Sequence, residues 1–233
     1  MTAAAALAFA LSIAFQDRIE APPNEEFRPR DFFPVDVGNT WIWGGEGREY
    51  SVKTVTEAHR GEDGEELVTF ESTTRRGAIQ FYDDFVVEKG RLYRKAVRFL
   101  SGTGIEYEPP VLYCAFSGKV GDTLTTKVSE SVGHPNPKEY FRRVTVVERR
   151  PVGTVLGSFS DCVIVRMEEF ATEAAERPEA TVDVWFARDI GPIKFRGVDK
   201  AGRVSEHQVV YARVGVKRMG VDPREETVPA EDR

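Results

Sequence analysis

The sequence predicts an all-β protein whose curved antiparallel meander sheet forms a half-barrel or open barrel with little helix. Three observations favour this class. Short runs rich in β-branched and aromatic residues follow one another from Trp41 onward, and Gly, Asp, Asn and Pro separate these runs. The apolar spacing that is typical of an amphipathic helix is hard to find. With 233 residues, 41% of them hydrophobic, the chain can also bury a substantial core.

The N-terminal segment indicates that the protein is exported. Residues 1–16, MTAAAALAFALSIAFQ, are uncharged and mostly apolar. Because a membrane-spanning helix needs roughly 20 apolar residues, we interpret this run as a signal-peptide-like leader, with an apolar helix retained in the folded protein as the alternative. Residues 17–30 contain Pro22, Pro23 and Pro29, which is typical of an extended linker. We therefore expect a periplasmic or extracellular protein with no integral membrane span once the leader is removed.

The stretch from Asp31 to Trp43, DFFPVDVGNTWIW, is predicted to open a single antiparallel β domain over residues 31–216. It combines large aromatic residues, a Gly-Asn turn and an alternating apolar run. Its residues 33–41 align with residues 116–124, and both copies place Val-Gly, then Asn or Asp, then Thr before a large apolar residue. Repeated structural units and two independent turns of similar chemistry both explain this match.

Several segments of turn-forming residues predict hairpins. The sequences EDG at 62–64, EKG at 88–90 and DKAG at 199–202 lie between strand-like runs, and such residues tolerate the positive φ of tight turns. In WFARDIGPI, residues 185–193, Gly191 is predicted to take a conformation that a branched residue would not tolerate. Residues 217–233 are predicted to form a disordered polar tail because they are rich in charge and Pro.

Four segments, taken in order, resemble a group of uncharacterised exported bacterial proteins. They are FFPVDVGNTWIW, EYEPPVLYCAFSGKVGDTL, VGTVLGSFSDCVIV and VWFARDIGPIKF, and the resemblance covers most of the chain after the leader. It implies an all-β fold distantly similar to the periplasmic lipoprotein-carrier half-barrels, in which a curved sheet can enclose an apolar space. It supplies no catalytic residues. The chain departs from the group's pattern at Leu124, where Trp is expected, and at Arg188-Asp189, where Pro-Gly is expected.

The sequence contains no recognisable signature of catalysis. The three His residues are not at metal-ligand spacing, and neither a nucleophile elbow nor a phosphate-binding loop is found. Asp83 and Asp84 are adjacent, so on a strand they would point to opposite faces and could not act together. We predict a protein that is not an enzyme and has no cofactor or metal; His134, in a predicted loop, is the residue that a hydrolase would use.

Charge and aromatic content lead to two hypotheses about function. The net charge of −6, with both signs interspersed, argues against nucleic acid as a partner.

The first hypothesis is that the protein binds an apolar ligand, a lipid or acyl group, in a cavity of about 300 Å³ or more. Trp41, Trp43, Phe81 and Trp185 are the candidate residues that line this cavity. Ordinary core packing is the other reading of these aromatic residues. The second hypothesis is a cell-envelope interaction or structural module that binds an envelope protein through a sheet edge or surface patch.

Cys114 and Cys162 are the only cysteines. In an oxidising compartment they form a candidate disulfide, which would constrain the loop between them. Two buried free thiols that pack as small apolar groups are the alternative.

Overall fold

The computed structural model of the protein describes residues 29–44, 50–61, 64–88, 91–115, 119–131 and 138–225. The predicted leader, most of the predicted linker, His134 and the end of the predicted tail lie outside these described residues.

The described residues form one antiparallel sheet of 13 strands whose spatial order follows the sequence. A four-residue helix, α1 (Pro29–Phe32), precedes the sheet. The strands are β1 (Thr40–Gly44), β2 (Ser51–Arg60), β3 (Glu66–Thr74), β4 (Ile79–Glu88), β5 (Arg91–Phe99), β6 (Gly104–Ala115), β7 (Thr123–Ser131), β8 (Lys138–Thr154), β9 (Gly157–Phe170), β10 (Ala180–Ala187), β11 (Gly191–Val198), β12 (Val204–Val214) and β13 (Lys217–Gly220).

The sheet closes on itself because β1 pairs with both β2 and β12. Strands β1 to β12 therefore form a closed barrel, and β13 pairs with the second half of β12. The predicted all-β class with little helix is confirmed. The sequence predicted a half-barrel or open barrel, and the structure shows a fully closed one. Closure removes the long unpaired edges that an open sheet would expose.

The barrel is joined most narrowly between β6 and β7. Only residues 106–108 of β6 pair with residues 129–131 of β7. Pro109 and Pro110 follow directly in β6 and have no backbone N–H to donate, so the ladder ends there. The later part of β6 pairs with β5, and the first part of β7 pairs with β8. We call this junction the β6–β7 seam.

The two copies of the sequence repeat form the same turn. Gly38 has a φ of 93° and donates its N–H to the Val55 carbonyl at 2.9 Å. Gly121 has a φ of 96° and donates to the Val146 carbonyl at 2.7 Å. The turns precede β1 and β7, and this shared geometry agrees with both explanations of the sequence match, repeated structural units and two independent turns. In both copies the following threonine hydroxyl contacts a threonine hydroxyl of the next strand: Thr40 with Thr54, and Thr123 with Thr145.

The sheet extends past the predicted domain end at residue 216. Residues 217–220 form β13, and Asp222 beyond it is buried. The guanidinium of Arg75 lies 5.5 Å from the Tyr50 ring centroid and donates to the Pro223 carbonyl. Tyr50 packs against an apolar cluster on the outer face of the barrel, formed by Ile42, Val52 and Tyr211. Arg75 therefore links the chain after β13 to the outer apolar cluster.

The turn between β10 and β11 confirms the prediction for Gly191. Its φ is 94°, and a Cβ at this position would lie 3.2 Å from Trp41 Cζ2 and 3.3 Å from Pro34 Cδ. Asp189, in the pair that replaces the expected Pro-Gly, has a φ of 61°, and Asp adopts this left-handed region more readily than most residues. Both the backbone conformation and the packing on Trp41 therefore restrict residue 191 to Gly.

Replacing Gly191 tests this restriction. We expect Gly191→Ala to lower the free energy of unfolding by at least about 2 kcal/mol, because positive φ and a close contact both penalise the new Cβ. Gly202→Ala is the matched control: Gly202 has a φ of 77° but nothing within 4 Å of the added Cβ, so only the backbone penalty remains. Urea unfolding measures both; equal losses would contradict the packing argument.

Candidate functional site

A cavity of about 290 Å³ lies against the interior face of the barrel. Its volume is close to the predicted scale and to the lower end of the range for small-molecule sites, about 300 to 1,000 Å³. Aromatic and other apolar side chains form most of the wall, and three polar residues complete it. The lining residues are Phe33, Trp41, Trp43, Phe70, Phe85, Tyr113, Val184, Pro192 and Phe195, with Ser51, Lys53 and His207.

Strand alternation places the two tryptophans of β1 in this wall. Successive side chains of a strand point to opposite faces, so Trp41 and Trp43 belong to the interior cluster and Ile42 to the outer one. The indole N–H of Trp41 donates to the Ile190 carbonyl at 2.8 Å. The Trp43 ring contacts Phe195 with centroids 5.5 Å apart. Both indoles are thus held in fixed positions before any ligand arrives.

Phe33, from the segment before β1, completes the aromatic wall. Its ring centroid lies 5.4 Å from Phe70, 5.9 Å from Phe85 and 6.3 Å from Phe186. These are the separations at which tilted and edge-to-face aromatic pairs are favourable. A segment outside the barrel strands therefore helps to shape the cavity.

A charged cluster lies beside the aromatic wall. Lys53 Nζ donates to Asp83 Oδ2 at 2.7 Å, and Arg94 Nε donates to Asp83 Oδ1 at 2.9 Å. The Asp83 side chain is 0% exposed. Burial alone would raise the pKa of Asp83, but the charges and hydrogen bonds of Lys53 and Arg94 outweigh burial and lower it. The carboxylate is therefore ionised at neutral pH, and the cluster carries one more positive than negative charge.

His207 provides an aromatic and polar surface at the same cavity. It lies opposite Phe195 in the β11–β12 ladder. The two rings stack with centroids 4.5 Å apart and an interplanar angle of 20°. A ligand in the cavity can contact the imidazole, whose orientation is set by this stacking.

The predicted lining residues separate into two groups. Trp41 and Trp43 line the cavity, whereas Phe81 packs against another interior cluster that contains Val97 and Tyr107. Trp185 does not line the cavity: it alternates with the cavity residue Val184 on β10, is partly buried and packs against the main core cluster, with Lys194 Nζ 5.2 Å from its ring centroid. The sequence did not reveal Lys53, Asp83 or Arg94 as a cluster, because these three residues come from different strands.

The candidate disulfide between Cys114 and Cys162 is not formed in the structure. Both are free and buried thiols. They lie on β6 and β9, which are not neighbours in the sheet. Burial raises the pKa of Cys114 well above its usual value and raises that of Cys162 to about 12. Both thiols therefore pack as small apolar groups, the alternative considered for them.

Two further observations concern metals and membranes. Within the part of the chain that the structure describes, no group of three or more His, Cys, Asp or Glu side chains is arranged to hold a metal ion. Among the same described residues, no helix has the length and apolar character needed to span a membrane.

Comparisons with known proteins give two similar structures. No protein family matches the chain, and no curated protein matches it. One similar structure is a predicted exported protein with a YmcC-like fold from Bacteroides fragilis NCTC 9343, with a TM-score of 0.48 and 16% identity over 78% of this chain and 98% of that one. Another is a predicted lipoprotein from Parabacteroides distasonis ATCC 8503, with a TM-score of 0.48 and 14% identity over 76% and 95% of the two chains.

Neutralising Asp83 tests the charged cluster. We expect Asp83→Asn to lower the free energy of unfolding at pH 7 by about 3 to 5 kcal/mol, because it leaves buried cations without their carboxylate. Since the pKa of Asp83 is lowered in the folded state, its contribution is fully present above about pH 4 and is lost as the pH falls through the folded value. The difference from wild type should therefore shrink in urea unfolding below pH 4.

Asp84 provides the matched control for this substitution. Its carboxylate lies on the other face of β4 and pairs with Arg98, whose side chain is 54% exposed. The Asp84 side chain is 23% exposed and also accepts a hydrogen bond from Thr69, which an asparagine oxygen can still accept, and a solvent-accessible pair of this kind contributes at most about 1 kcal/mol. We expect Asp84→Asn to cost no more than that, and a cost equal to that of Asp83→Asn would contradict the assignment of the interior cluster.

Proposed function

We propose that the protein binds a small apolar molecule, such as a single acyl chain or a lipid fragment, in the barrel cavity. The observation that carries this proposal is a space of about 290 Å³ walled largely by aromatic rings. The volume suits one chain or a small ring system rather than an entire phospholipid. The proposal includes no catalytic step.

The physics of an apolar cavity favours such a ligand. Protein interiors contain few voids larger than one water molecule, and this space corresponds to roughly ten waters at about 30 Å³ each. Water in an apolar space finds few hydrogen-bond partners. An apolar ligand would replace it and gain about 25 cal/mol for each Å² of apolar surface removed from water. The fixed rings add affinity because little ordering is required on binding.

The proposal includes a location outside the cytoplasm, and it has one alternative. The predicted leader at residues 1–16 supports action in the periplasm or outside the cell, where lipids and acyl chains are available. The alternative, an envelope interaction module that works through a sheet edge, stays a prediction. The β6–β7 seam is the edge that such a module would use.

Binding of decanol, a neutral single-chain probe, tests the proposed function. We expect tryptophan fluorescence to change saturably with one site per chain, because Trp41 and Trp43 are in the cavity wall. Val184→Phe should weaken binding at least about tenfold by filling the space, since each displaced methylene contact is worth roughly 0.8 kcal/mol. Val204→Phe, the same change at a residue that is 56% exposed on β12, should leave affinity unchanged.

The folding of each variant is checked by urea unfolding. If Val184→Phe does not fold, native mass spectrometry of the wild-type protein with decanol still decides the question. A one-to-one adduct that a second neutral chain displaces supports the cavity function. Absence of saturable binding to wild type, or equal binding by wild type and a folded Val184→Phe protein, contradicts it.

A further inference from the structure

We propose that the ligand is an amphiphile with an anionic head group, and that the ammonium of Lys53 binds that head group while the chain lies among the aromatic rings. This inference rests on the proposed apolar-ligand function and defines its ligand class. The chemistry is that of a carboxylate or phosphate carried by a single apolar chain.

The cavity lining is divided into a polar part and an apolar part. Ser51 and Lys53 are two residues apart on β2, so they point to the same face. In the β1–β2 ladder Ser51 lies opposite Trp43, and Lys53 lies opposite Trp41. A ligand that contacts both tryptophans therefore has the two polar side chains beside it along one wall.

Lys53 is the charged group that a ligand in this cavity can reach. Its side chain is 32% exposed, whereas that of Asp83 is 0% exposed. Arg94 contacts the same carboxylate but does not line the cavity. An ammonium has three N–H donors, and Asp83 accepts one of them. Lys53 can therefore donate to a ligand without leaving Asp83.

The net positive charge of the Lys53–Asp83–Arg94 cluster favours a ligand with an anionic head group. Arg94 already donates to Asp83 Oδ1 through two nitrogens, so that pair is neutral without Lys53. Lys53 donates to the same carboxylate, so two cations share one anion, and the cluster keeps an excess positive charge at the border of an apolar space that water or a further anion must balance. An anionic head group supplies that balance, and a neutral amphiphile does not. Hydrogen bonds between charged groups are roughly twice as strong as neutral ones.

Affinities for decanol, decanoate and decyl phosphate at pH 8 test the inference. In wild type we expect decanoate to bind about tenfold more tightly than decanol. Lys53→Met should lower the ratio of decanoate affinity to decanol affinity about tenfold, because the variant keeps the length of the side chain and removes its charge. We expect Lys53→Met to weaken decyl phosphate by the same factor as decanoate. If the substitution weakens only one of these two anions, that anion carries the preferred head group.

Lys194→Met is the matched control. Lys194 lies over Trp185 and is not among the residues that line the cavity, so its removal changes the net charge by the same amount without touching the cavity. We expect no change in the affinity for any of the three probes. Equal weakening of decanoate by both variants would show a long-range charge effect and overturn the role of Lys53.

The outcomes separate the two proposals. If neither decanol nor decanoate binds wild type, the proposed function fails. If both bind and Lys53→Met changes them by the same factor, the cavity function stands and the head-group inference is overturned. If Lys53→Met does not fold, the salt dependence of wild type decides: added NaCl should weaken decanoate and not decanol, since salt screens the ion pair and not apolar contacts. Equal salt responses would overturn the inference.

Discussion

The pairing of β1 between β2 and β12 is the constraint on which the rest of the structure depends. All five residues of this strand are buried, so both of its faces must be covered. Its inner face places Trp41 and Trp43 in the cavity wall, and its outer face places Ile42 in the cluster near the C-terminal segment. Closure of the barrel, the shape of the cavity and the position of the chain after β13 therefore follow from one short strand.

Arg188 connects the segment before β1 with the turn between β10 and β11. Its guanidinium donates to Asp31 at 2.9 Å and to Asp161 at 2.7 Å, and lies 5.0 Å from the Phe32 ring centroid. Burial alone would raise the pKa of Asp161, but Arg149 and Arg188 outweigh burial and lower it. These contacts hold the segment before β1 against the β10–β11 turn, whose expected Pro-Gly is absent.

The sequence predicts the fold more fully than the site, for a physical reason. Alternation and turn chemistry are local, so the all-β class, the hairpin at 199–202 and the need for Gly191 follow from neighbouring residues. Which face of a strand points inward depends on register and closure, which are not local. Trp185 therefore looks like Trp41 in the sequence but does not line the cavity. The Lys53–Asp83–Arg94 cluster requires three strands in register and leaves no local pattern.

The β6–β7 seam has a consequence for access to the interior. Among the described residues, parting β6 from β7 breaks three residue pairs, against four between β1 and β2, and local openings use weakly stabilised parts of a structure. Tyr113, a cavity residue, lies in the part of β6 that follows these pairs. Loosening of this junction would expose Tyr113 and widen solvent access to the aromatic wall while the long hairpin of β8 and β9 stayed intact.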